Sequence, residues 1–296
     1  MLSSIDLRPS QLELLQAIAS ELSQISGVVA VVLGGSHARG SARPDSDLDI
    51  GIYYCEKFEP NTAKVRDCAR RFSLPDRPPI VTNFYDWGPW VNGGAWVHSS
   101  VGRVDFLYRN ADQVQRVINE SHQGTYHHDF HQQPTFGFTS VTYLAETKYC
   151  VPVFDQQHLI SRLKSQVQLY PAPLQHKLIN NSLWQVEFTL LHAHRFAAQG
   201  DIFNSAGCLA RIAFFLLQAL FALNGEYYFG DKGAVEASGR FGKQPTQFPT
   251  RLESALSSPL AELPQLESAV RILEDLWHEV VNLTGGSYTP KFGLPL

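Results

Sequence analysis

The sequence is poor in cysteine and in clustered positive charge. Its 296 residues include four cysteines, and no two of them stand in a C-x-x-C relation. This spacing argues against a disulfide framework and against a zinc site, so reduced thiols are expected. The formal net charge is -4, and no run of four Lys or Arg residues occurs. Because proteins that bind long nucleic acids usually carry a basic excess, a long nucleic acid is not an expected partner.

Long apolar runs are also lacking. The longest lies near 212–223, is interrupted by Gln218 and is too short to cross a bilayer. The N-terminus carries early charges and has no apolar signal core. These absences predict a cytoplasmic protein without a membrane partner. Hydrophobic residues nevertheless make up 44% of the chain, which is enough for a sizeable core and too many for a disordered chain.

Apolar periodicity divides the chain into a mixed first half and a helical second half. In the first half, helical spacing predicts helices over 9–25, 60–72, 111–120 and 141–147. Apolar, β-branched runs predict strands over 28–33, 48–54, 80–84, 103–108 and 151–154. The Trp- and Gly-rich stretch 85–100 is predicted as an ordered loop or hairpin.

Beyond residue 155 the sequence shows helical patterns without strand signals. They cover 174–198, 206–223, 252–256 and 266–281. A length of 296 residues exceeds a typical single domain. The predicted fold class is therefore α+β, with a small mixed-sheet domain over residues 1–155 followed by an all-helical bundle domain over residues 156–296.

The most informative stretch is Val31–Gly51, VVLGGSHARGSARPDSDLDIG. An apolar run leads into Gly34 and Gly35, where the backbone can turn tightly, and Ser36 is predicted to cap a short helix over 37–40. Glycine amides and a helix N-terminus form a natural anion site. Many loops contain a Gly-Gly-Ser turn, so the turn alone gives weak support for a phosphate site.

Two aspartates, Asp47 and Asp49, follow that turn and point to the same face of a predicted strand. Carboxylates so placed repel each other unless a cation lies between them, and hard oxygen ligands suit Mg²⁺. Two metal ions about 3.5–4 Å apart can activate an attacking hydroxyl and stabilise a leaving oxygen. A third carboxylate is then needed, and Asp105 in an apolar strand is the candidate. The alternative for Asp105 is a strand-edge position or pairing with Arg103 or Arg109.

These motifs resemble those of the nucleotidyltransferase superfamily typified by DNA polymerase β and kanamycin nucleotidyltransferase. The superfamily pattern is a Gly-Ser turn, an Asp-x-Asp about ten residues on and a third acid on a later strand. Here it reads Gly35-Ser36, Asp47-Leu48-Asp49 and Asp105. The resemblance covers most of residues 28–108, and the helical half more loosely resembles small-molecule nucleotidyltransferases.

The resemblance implies a reaction in which an acceptor hydroxyl attacks the α-phosphate of a nucleoside triphosphate and pyrophosphate leaves. The expected donor is ATP. The expected cofactor is Mg²⁺, as two ions, with Mn²⁺ as an alternative. Asp47 and Asp49 would bind both ions, and Asp105 would bind the catalytic one. The residues expected to hold the triphosphate are Gly34, Gly35, Ser36 and Arg39, although Arg39 has an ordinary surface arginine as its alternative.

A general base for the acceptor hydroxyl is less well defined. In the family of the kanamycin enzyme, a glutamate outside the metal triad has this role. Glu146 and Glu187 are the two candidates, and Asp105 is a third. Glu187 lies within an otherwise apolar helix face, where burial would raise its pKa toward the useful range. The alternative for both glutamates is a partly exposed helix position.

Other residues remain open to two interpretations. Three tryptophans of the 85–100 stretch could stack on a nucleobase or on the acceptor, or they could form a small cluster under a loop; they are Trp87, Trp90 and Trp96. Four histidines near Asp129 are interpreted as solvated loop residues rather than metal ligands; they are His122, His127, His128 and His131.

The leading functional hypothesis is a transferase acting on a small-molecule hydroxyl, of which an antibiotic is one example. We expect the acceptor to bind between the two domains. The helical half has about as many basic as acidic residues, which argues against a polycationic acceptor. The alternatives are an antitoxin-like protein adenylyltransferase and a catalytically inactive nucleotide-binding regulatory protein. A homodimer is left open.

Overall fold

A computed structural model describes residues 5–257 and 262–293 of the chain. The chain divides into two compact units. Unit 1 comprises Met1–Glu120 and His127–Leu169, and unit 2 comprises Ser121–Tyr126 and Tyr170–Leu296. Unit 1 is built from helices and a mixed sheet, and unit 2 is built from helices, so the α+β fold class is confirmed. Residues 156–169, which the prediction assigns to the helical domain, lie in unit 1.

Unit 1 contains eight strands within the described residues. They are β1 (Val28–Leu33), β2 (Leu48–Tyr54), β3 (Ile80–Val81), β4 (Gly94–Ser99), β5 (Gly102–Asn110), β6 (His128–Asp129), β7 (Phe138–Thr139) and β8 (Val151–Phe154). The main sheet has the order β3-β4-β5-β2-β1-β8, and β6 pairs with β7 apart from it. Strands β2 and β5 run parallel, whereas the other pairs in the main sheet are antiparallel. The prediction of an edge strand at 151–154 is confirmed.

The helices of this half are α1 (Pro9–Leu22), α2 (Gly35–Arg39), α3 (Thr62–Phe72), α4 (Ala111–His122), α5 (Val141–Tyr149) and α6 (Leu159–Gln166). The core lies between one face of the sheet and helices α1 and α3. Alternate residues of β2 and β5 enter that core, among them Ile50 and Phe106. Because strand side chains alternate between faces, Asp49 and Asp105 lie on the opposite face of the sheet.

The second half of the 85–100 stretch forms β4, which pairs antiparallel with β5, so the hairpin alternative describes it better than the loop alternative. Gly94 contributed to the loop prediction, but its role is close packing in the sheet. A Cβ atom built on Gly94 would lie 1.7 Å from the carbonyl oxygen of Phe106 on β5. Ala95 and Val97 are buried, whereas Trp96 between them is 45% exposed. This is the alternation of a half-buried strand.

Unit 2 is a helical assembly. Its main helices are α7 (Ala172–Ala198), α8 (Ile202–Leu223), α9 (Ala234–Ser238), α10 (Phe248–Ser257) and α11 (Leu263–Leu283). Helix α7 packs against α8 and α11. Trp277 of α11 is fully buried, and its indole Nε1–H donates to the carbonyl oxygen of Leu183 on α7 at 3.2 Å. This bond satisfies the one polar group of a large core side chain.

Helix α8 corrects the expectation that no apolar stretch is long enough to span a bilayer. Within the described part of the chain, it is the one helix with the length and composition of a membrane span, with a mean hydropathy of 1.9. Gln218 lies inside the helix, is 4% exposed and does not end it. Since 67% of the apolar window is buried within the structure, α8 packs as a core helix of unit 2.

Candidate active site

The parallel pairing of β2 and β5 places Asp49 directly opposite Asp105. Neighbouring strands lie about 4.8 Å apart, so the two carboxylates share one small area of the sheet. Asp47 immediately precedes β2, and its Oδ2 atom forms an ion pair with Nη2 of Arg103 at 2.9 Å. Arg103 was an alternative partner for Asp105, and the structure pairs it with Asp47. The three predicted acids therefore lie at one end of two adjacent strands.

The Gly-Gly turn lies against Asp49. The amide of Gly34 donates to the backbone oxygen of Asp49 at 2.8 Å, and helix α2 begins at Gly35. Gly35 has a φ of +60°, and a Cβ atom there would lie 1.7 Å from Oδ2 of Asp49. Only a residue without a side chain lets the backbone approach this carboxylate so closely. The predicted cap is wrong, because the N-cap residue is Gly34 and Ser36 lies in the first turn.

The electrostatics of the site centre on Asp49. Burial, followed by the negative charges of Asp105, Asp47 and Glu146, raises the pKa of Asp49 from 3.8 to about 6, and Arg39 partly opposes this rise. Burial lowers the pKa of Arg39, against the opposing effects of Asp49 and Glu146. Arg39 is therefore a partly buried cation beside the acids rather than a freely exposed surface arginine. The site carries an excess of negative charge that a bound cation would compensate.

Glu146 lies on α5 and forms a two-point ion pair with Arg109 of β5. Nε of Arg109 donates to Oε2 of Glu146 at 2.7 Å, and Nη2 donates to Oε1 at 2.8 Å. The Arg109 side chain is buried and lies over the ring of Tyr143, 5.5 Å from its centroid. Burial alone would lower the pKa of Arg109, but the charge and hydrogen bonds of Glu146 raise it above its ordinary value. The pair joins α5 to the strand that carries Asp105.

Glu187 lies in unit 2, on α7, and has no exposed surface. Its carboxylate accepts hydrogen bonds from the hydroxyl of Tyr288 at 2.5 Å, the amide of Lys291 at 2.7 Å and the amide of Phe292 at 2.6 Å. The alternative interpretation of Glu187 as a partly exposed helix residue is therefore wrong. Its burial agrees with the prediction from the apolar helix face. With both oxygens engaged, this carboxylate anchors the C-terminal segment to α7.

Replacement of Glu187 by Gln is expected to destabilise unit 2 by about 2–4 kcal/mol, because an amide NH₂ group would face backbone N–H donors in a buried site. The released C-terminal segment should then expose Lys291 to trypsin. Mass spectrometry would detect loss of residues 292–296 and calorimetry the lower melting temperature. Glu253→Gln, at an exposed position of α10, is the control. Equal protease resistance of the two variants would contradict the anchoring role.

The histidines of the 127–131 segment have local partners. Nε2 of His127 lies 3.0 Å from Oε2 of Glu120, and Nε2 of His128 lies 2.6 Å from the carbonyl oxygen of Phe136. The backbone amide of His131 donates to Oδ1 of Asp129. His122 ends helix α4. Hydrogen bonding within the loop accounts for these contacts.

The tryptophans separate into two groups. Trp90 packs against Phe138 at a ring-centroid distance of 5.8 Å and against Tyr143 at 6.2 Å, which is the small cluster considered as one interpretation. Trp87 and Trp96 stack on each other with centroids 5.0 Å apart. The position of Trp96, opposite Asp105 on the neighbouring strand, was missed in the sequence because β4 was not predicted.

The chemistry of the donor set suits Mg²⁺. Three carboxylates supply hard oxygen ligands, and burial together with the charges of Asp105, Asp47 and Glu146 raises the pKa of Asp49. Among residues 5–257 and 262–293, no group of three His, Cys, Asp or Glu side chains stands at metal-binding distances. Asp47 is paired with Arg103. To bind a metal ion together with Asp49 and Asp105, its carboxylate would have to leave Arg103.

Comparison with protein families gives two matches. Residues 15–77 match the nucleotidyltransferase domain family, and these residues include the Gly-Gly turn and the Asp-x-Asp. Residues 138–232 match a domain of unknown function, DUF4037. The comparison with curated proteins found no match.

Among solved structures, the chain is similar to a nucleotidyltransferase-like protein from Exiguobacterium sibiricum. The alignment has 12% sequence identity and a TM-score of 0.45, and it covers 93% of this chain and 78% of the other. A likeness at this level adds no argument about function. The match over residues 15–77 shows a nucleotidyltransferase domain in this part of the chain, which supports an enzyme whose general reaction is the transfer of a nucleoside monophosphate.

Proposed function

We propose that this nucleotidyltransferase uses Mg²⁺ to transfer a nucleoside monophosphate from a nucleoside triphosphate to a hydroxyl of a small-molecule acceptor. The expected donor is ATP, and pyrophosphate is the leaving group. One observation carries the proposal: Asp49 and Asp105 lie in register on parallel strands, next to a turn in which Gly35 leaves no space for a side chain. This arrangement joins an anion site to a carboxylate pair.

Each part of the site has a role in the proposed reaction. Asp47, Asp49 and Asp105 would hold the metal, which when bound supplies positive charge to the α-phosphate and activates the acceptor hydroxyl. The backbone amides of Gly35 and Ser36 and the cation of Arg39 would hold the β- and γ-phosphates, whereas the amide of Gly34 already donates to the backbone oxygen of Asp49. The acceptor oxygen forms a bond to the α-phosphorus as the bond to the pyrophosphate oxygen breaks.

We propose Asp105 as the group that takes the proton of the acceptor hydroxyl. Glu146 is a poorer base because its two oxygens hold a buried arginine, and protonation would break that pair. Glu187 is a poorer base because a tyrosine hydroxyl and backbone amides occupy its oxygens. Asp105 lies beside Asp49, where the reacting phosphate would be held.

The test is transfer of label from α-³²P nucleoside triphosphates in the presence of Mg²⁺. The acceptor panel contains aminoglycosides, lincosamides and cell-extract proteins. We expect label on a small molecule, dependent on Mg²⁺ and reduced on the order of 10³-fold in Asp105→Asn. Asp67→Asn, at an exposed position of α3, is the matched control and should keep full activity.

Two outcomes would contradict the proposal. Label on proteins alone would favour the protein adenylyltransferase alternative. Absence of both transfer and Mg²⁺-dependent nucleotide binding would favour an inactive regulatory protein. Equal activity of the Asp105 and Asp67 variants would remove Asp105 from the mechanism while leaving the transfer reaction itself in place.

A further inference from the structure

One row of residues crosses five neighbouring positions of the sheet in unit 1. Ile80 pairs with Trp96, Trp96 pairs with Asp105, and Asp105 pairs with Asp49. Gly34, which directly follows β1 in the chain, is the last position of the row, because its amide donates to the backbone oxygen of Asp49. Directly paired residues project their side chains from the same face. The carboxylates therefore have the Gly-Gly turn on one side and two apolar side chains on the other.

The apolar end of this row is open to solvent. Ile80 is 59% exposed and Trp96 is 45% exposed, although both lie on strands whose other face is packed in the core. With strands about 4.8 Å apart, Trp96 lies one strand from Asp105 and about 14 Å from Gly34. Large apolar side chains exposed beside a charged site are typical of ligand-binding surfaces.

The geometry of attack at the α-phosphorus determines which substrate would contact these side chains. In phosphoryl transfer, the attacking and leaving oxygens stand roughly in line on opposite sides of the phosphorus. If the pyrophosphate lies over the Gly34–Ser36 turn and the α-phosphate over Asp49 and Asp105, the attacking hydroxyl approaches from the β4 side. The substrate at Trp96 is then the acceptor rather than the leaving pyrophosphate.

Trp87 supplies a second aromatic ring to this surface, and hydrogen bonds hold its loop in place. Trp87 stacks on Trp96 with an interplanar angle of 23°. Its amide donates to the carbonyl oxygen of Asn92 at 2.9 Å, and its own carbonyl oxygen accepts from Nε2 of Gln132 at 3.2 Å. Asn92 is buried with a φ of +67°, and Tyr85 has a φ of +63°. Non-glycine residues keep such a conformation only where their surroundings fix it, so the stack is pre-formed.

We infer that Trp96, with Trp87 and Ile80 beside it, is the acceptor subsite, and that it takes a ring compound with one apolar face and hydroxyls on its rim, such as a sugar ring. A flat face stacked on Trp96 would bring a rim hydroxyl toward Asp105 on the next strand. An open-chain polyol has no such face. The inference rests on the proposed function for the direction of attack, and it assigns acceptor recognition to residues of unit 1, whereas the sequence analysis expected the acceptor between the two domains.

The experiment measures binding of ring and open-chain alcohols without nucleotide, by saturation-transfer NMR on the full-length protein. The probes are methyl glycosides, aminoglycosides and lincosamides, with sorbitol as the open-chain control. The variants are Trp96→Ala, Trp96→Phe and Trp87→Ala. The control variant is Phe58→Ala, whose exposed ring lies beyond the other end of β2. Calorimetry measures Mg·ATP affinity for each protein in parallel.

We expect at least one ring compound to bind the wild type and Phe58→Ala and to bind Trp96→Ala at least about 10-fold more weakly, since the variant loses the aromatic face on which the ring stacks. Trp96→Phe should stay within about 3-fold of wild type, because it keeps an aromatic face. Trp87→Ala should fall between them. Mg·ATP affinity should be unchanged in all variants.

Three outcomes would overturn the inference: no ring compound binds the wild type, sorbitol binds as tightly as the rings, or Trp96→Ala weakens Mg·ATP as much as the ring compound. The last would assign Trp96 to the nucleotide. Failure of the proposed function has a different signature, since it appears as lost Mg·ATP binding and lost transfer in the wild type, whatever the ring compounds do.

Discussion

Asp49→Asn is expected to abolish nucleotidyl transfer and, at neutral pH, to make unit 1 more stable. The two effects share one cause. Burial and the charges of Asp105, Asp47 and Glu146 raise the pKa of Asp49 to about 6, so the ionised form is disfavoured in the folded protein. Under the proposed function, this charge would serve to bind the metal ion that in turn attracts the phosphates. Asparagine removes the repulsion together with the ligand, a trade of stability against function found at many active sites.

The pH dependence has a definite sign. Asp49 has a folded-state pKa above its unfolded value of 3.8, so the folded protein binds more protons than the unfolded one between pH 3.8 and about 6. Wild-type stability from this group therefore falls as the pH rises through that window, and the loss is complete above it. Asp49→Asn lacks this pH-dependent contribution to the free energy of unfolding. The stability difference between the two proteins should be near zero at pH 3.5 and largest above pH 6.5.

The expected gain above pH 6.5 is at most about 2–3 kcal/mol, since a rise of about two pKa units, already net of the attraction to Arg39, corresponds to that free energy. Turnover should fall on the order of 10³-fold. Calorimetry across this pH range, with and without Mg²⁺, measures both effects. Mg²⁺ should raise the melting temperature of the wild type and leave the variant nearly unchanged.

Asp67→Asn is the control and should change neither quantity. A variant of Asp49 that is less stable than the wild type at pH 7 would contradict the charge argument. A variant that transfers label at the wild-type rate would remove Asp49 from the metal site. The two results are independent, because one depends on repulsion in the free protein and the other on the reaction.

Local patterns were sufficient to predict the strands on which the site is built. The predicted strands at 28–33 and 48–54 have the same bounds as β1 and β2, because β-branched runs between turn residues report burial directly. The Asp-x-Asp spacing predicted two acids on one face of a strand, and the structure places Asp49 on β2 and Asp47 immediately before it. Asp105 was identified as an acid within an apolar strand, where a third carboxylate was needed. Its register with Asp49 depends on the parallel pairing of β2 and β5, which periodicity does not contain.

The parts that were missed depend on long-range contacts. Gly94 was interpreted as a loop residue, whereas its missing side chain makes room for the backbone of β5. The partner of Glu146 is Arg109 on a different element, and the partners of Glu187 lie about a hundred residues away in the C-terminal segment. A sequence shows that a carboxylate falls in an apolar stretch. It does not show which donor meets that carboxylate, because the tertiary fold decides the pairing.

Gly35→Ala is expected to lower turnover by at least about 10²-fold with only a modest loss of stability. The new Cβ atom would lie 1.7 Å from Oδ2 and 2.5 Å from Cγ of Asp49, so the carboxylate must move. It is the end of a short side chain and can rotate away at little cost to folding. A displacement of about 1 Å in a reacting group is enough to reduce catalysis on the order of 10²-fold.

Gly40→Ala separates this effect from backbone strain. Gly40 also has a left-handed conformation, with a φ of +68°, but no atom lies within 4 Å of a Cβ built there. Both variants should therefore lose about 1 kcal/mol of folding free energy to the left-handed backbone. Only Gly35→Ala should displace Asp49, and so only it should lose turnover and the rise in melting temperature with Mg²⁺. If the two variants lose turnover equally, strain in α2 rather than the position of the Asp49 carboxylate limits the reaction, and the close approach of the Gly34–Gly35 turn to that carboxylate has no catalytic role.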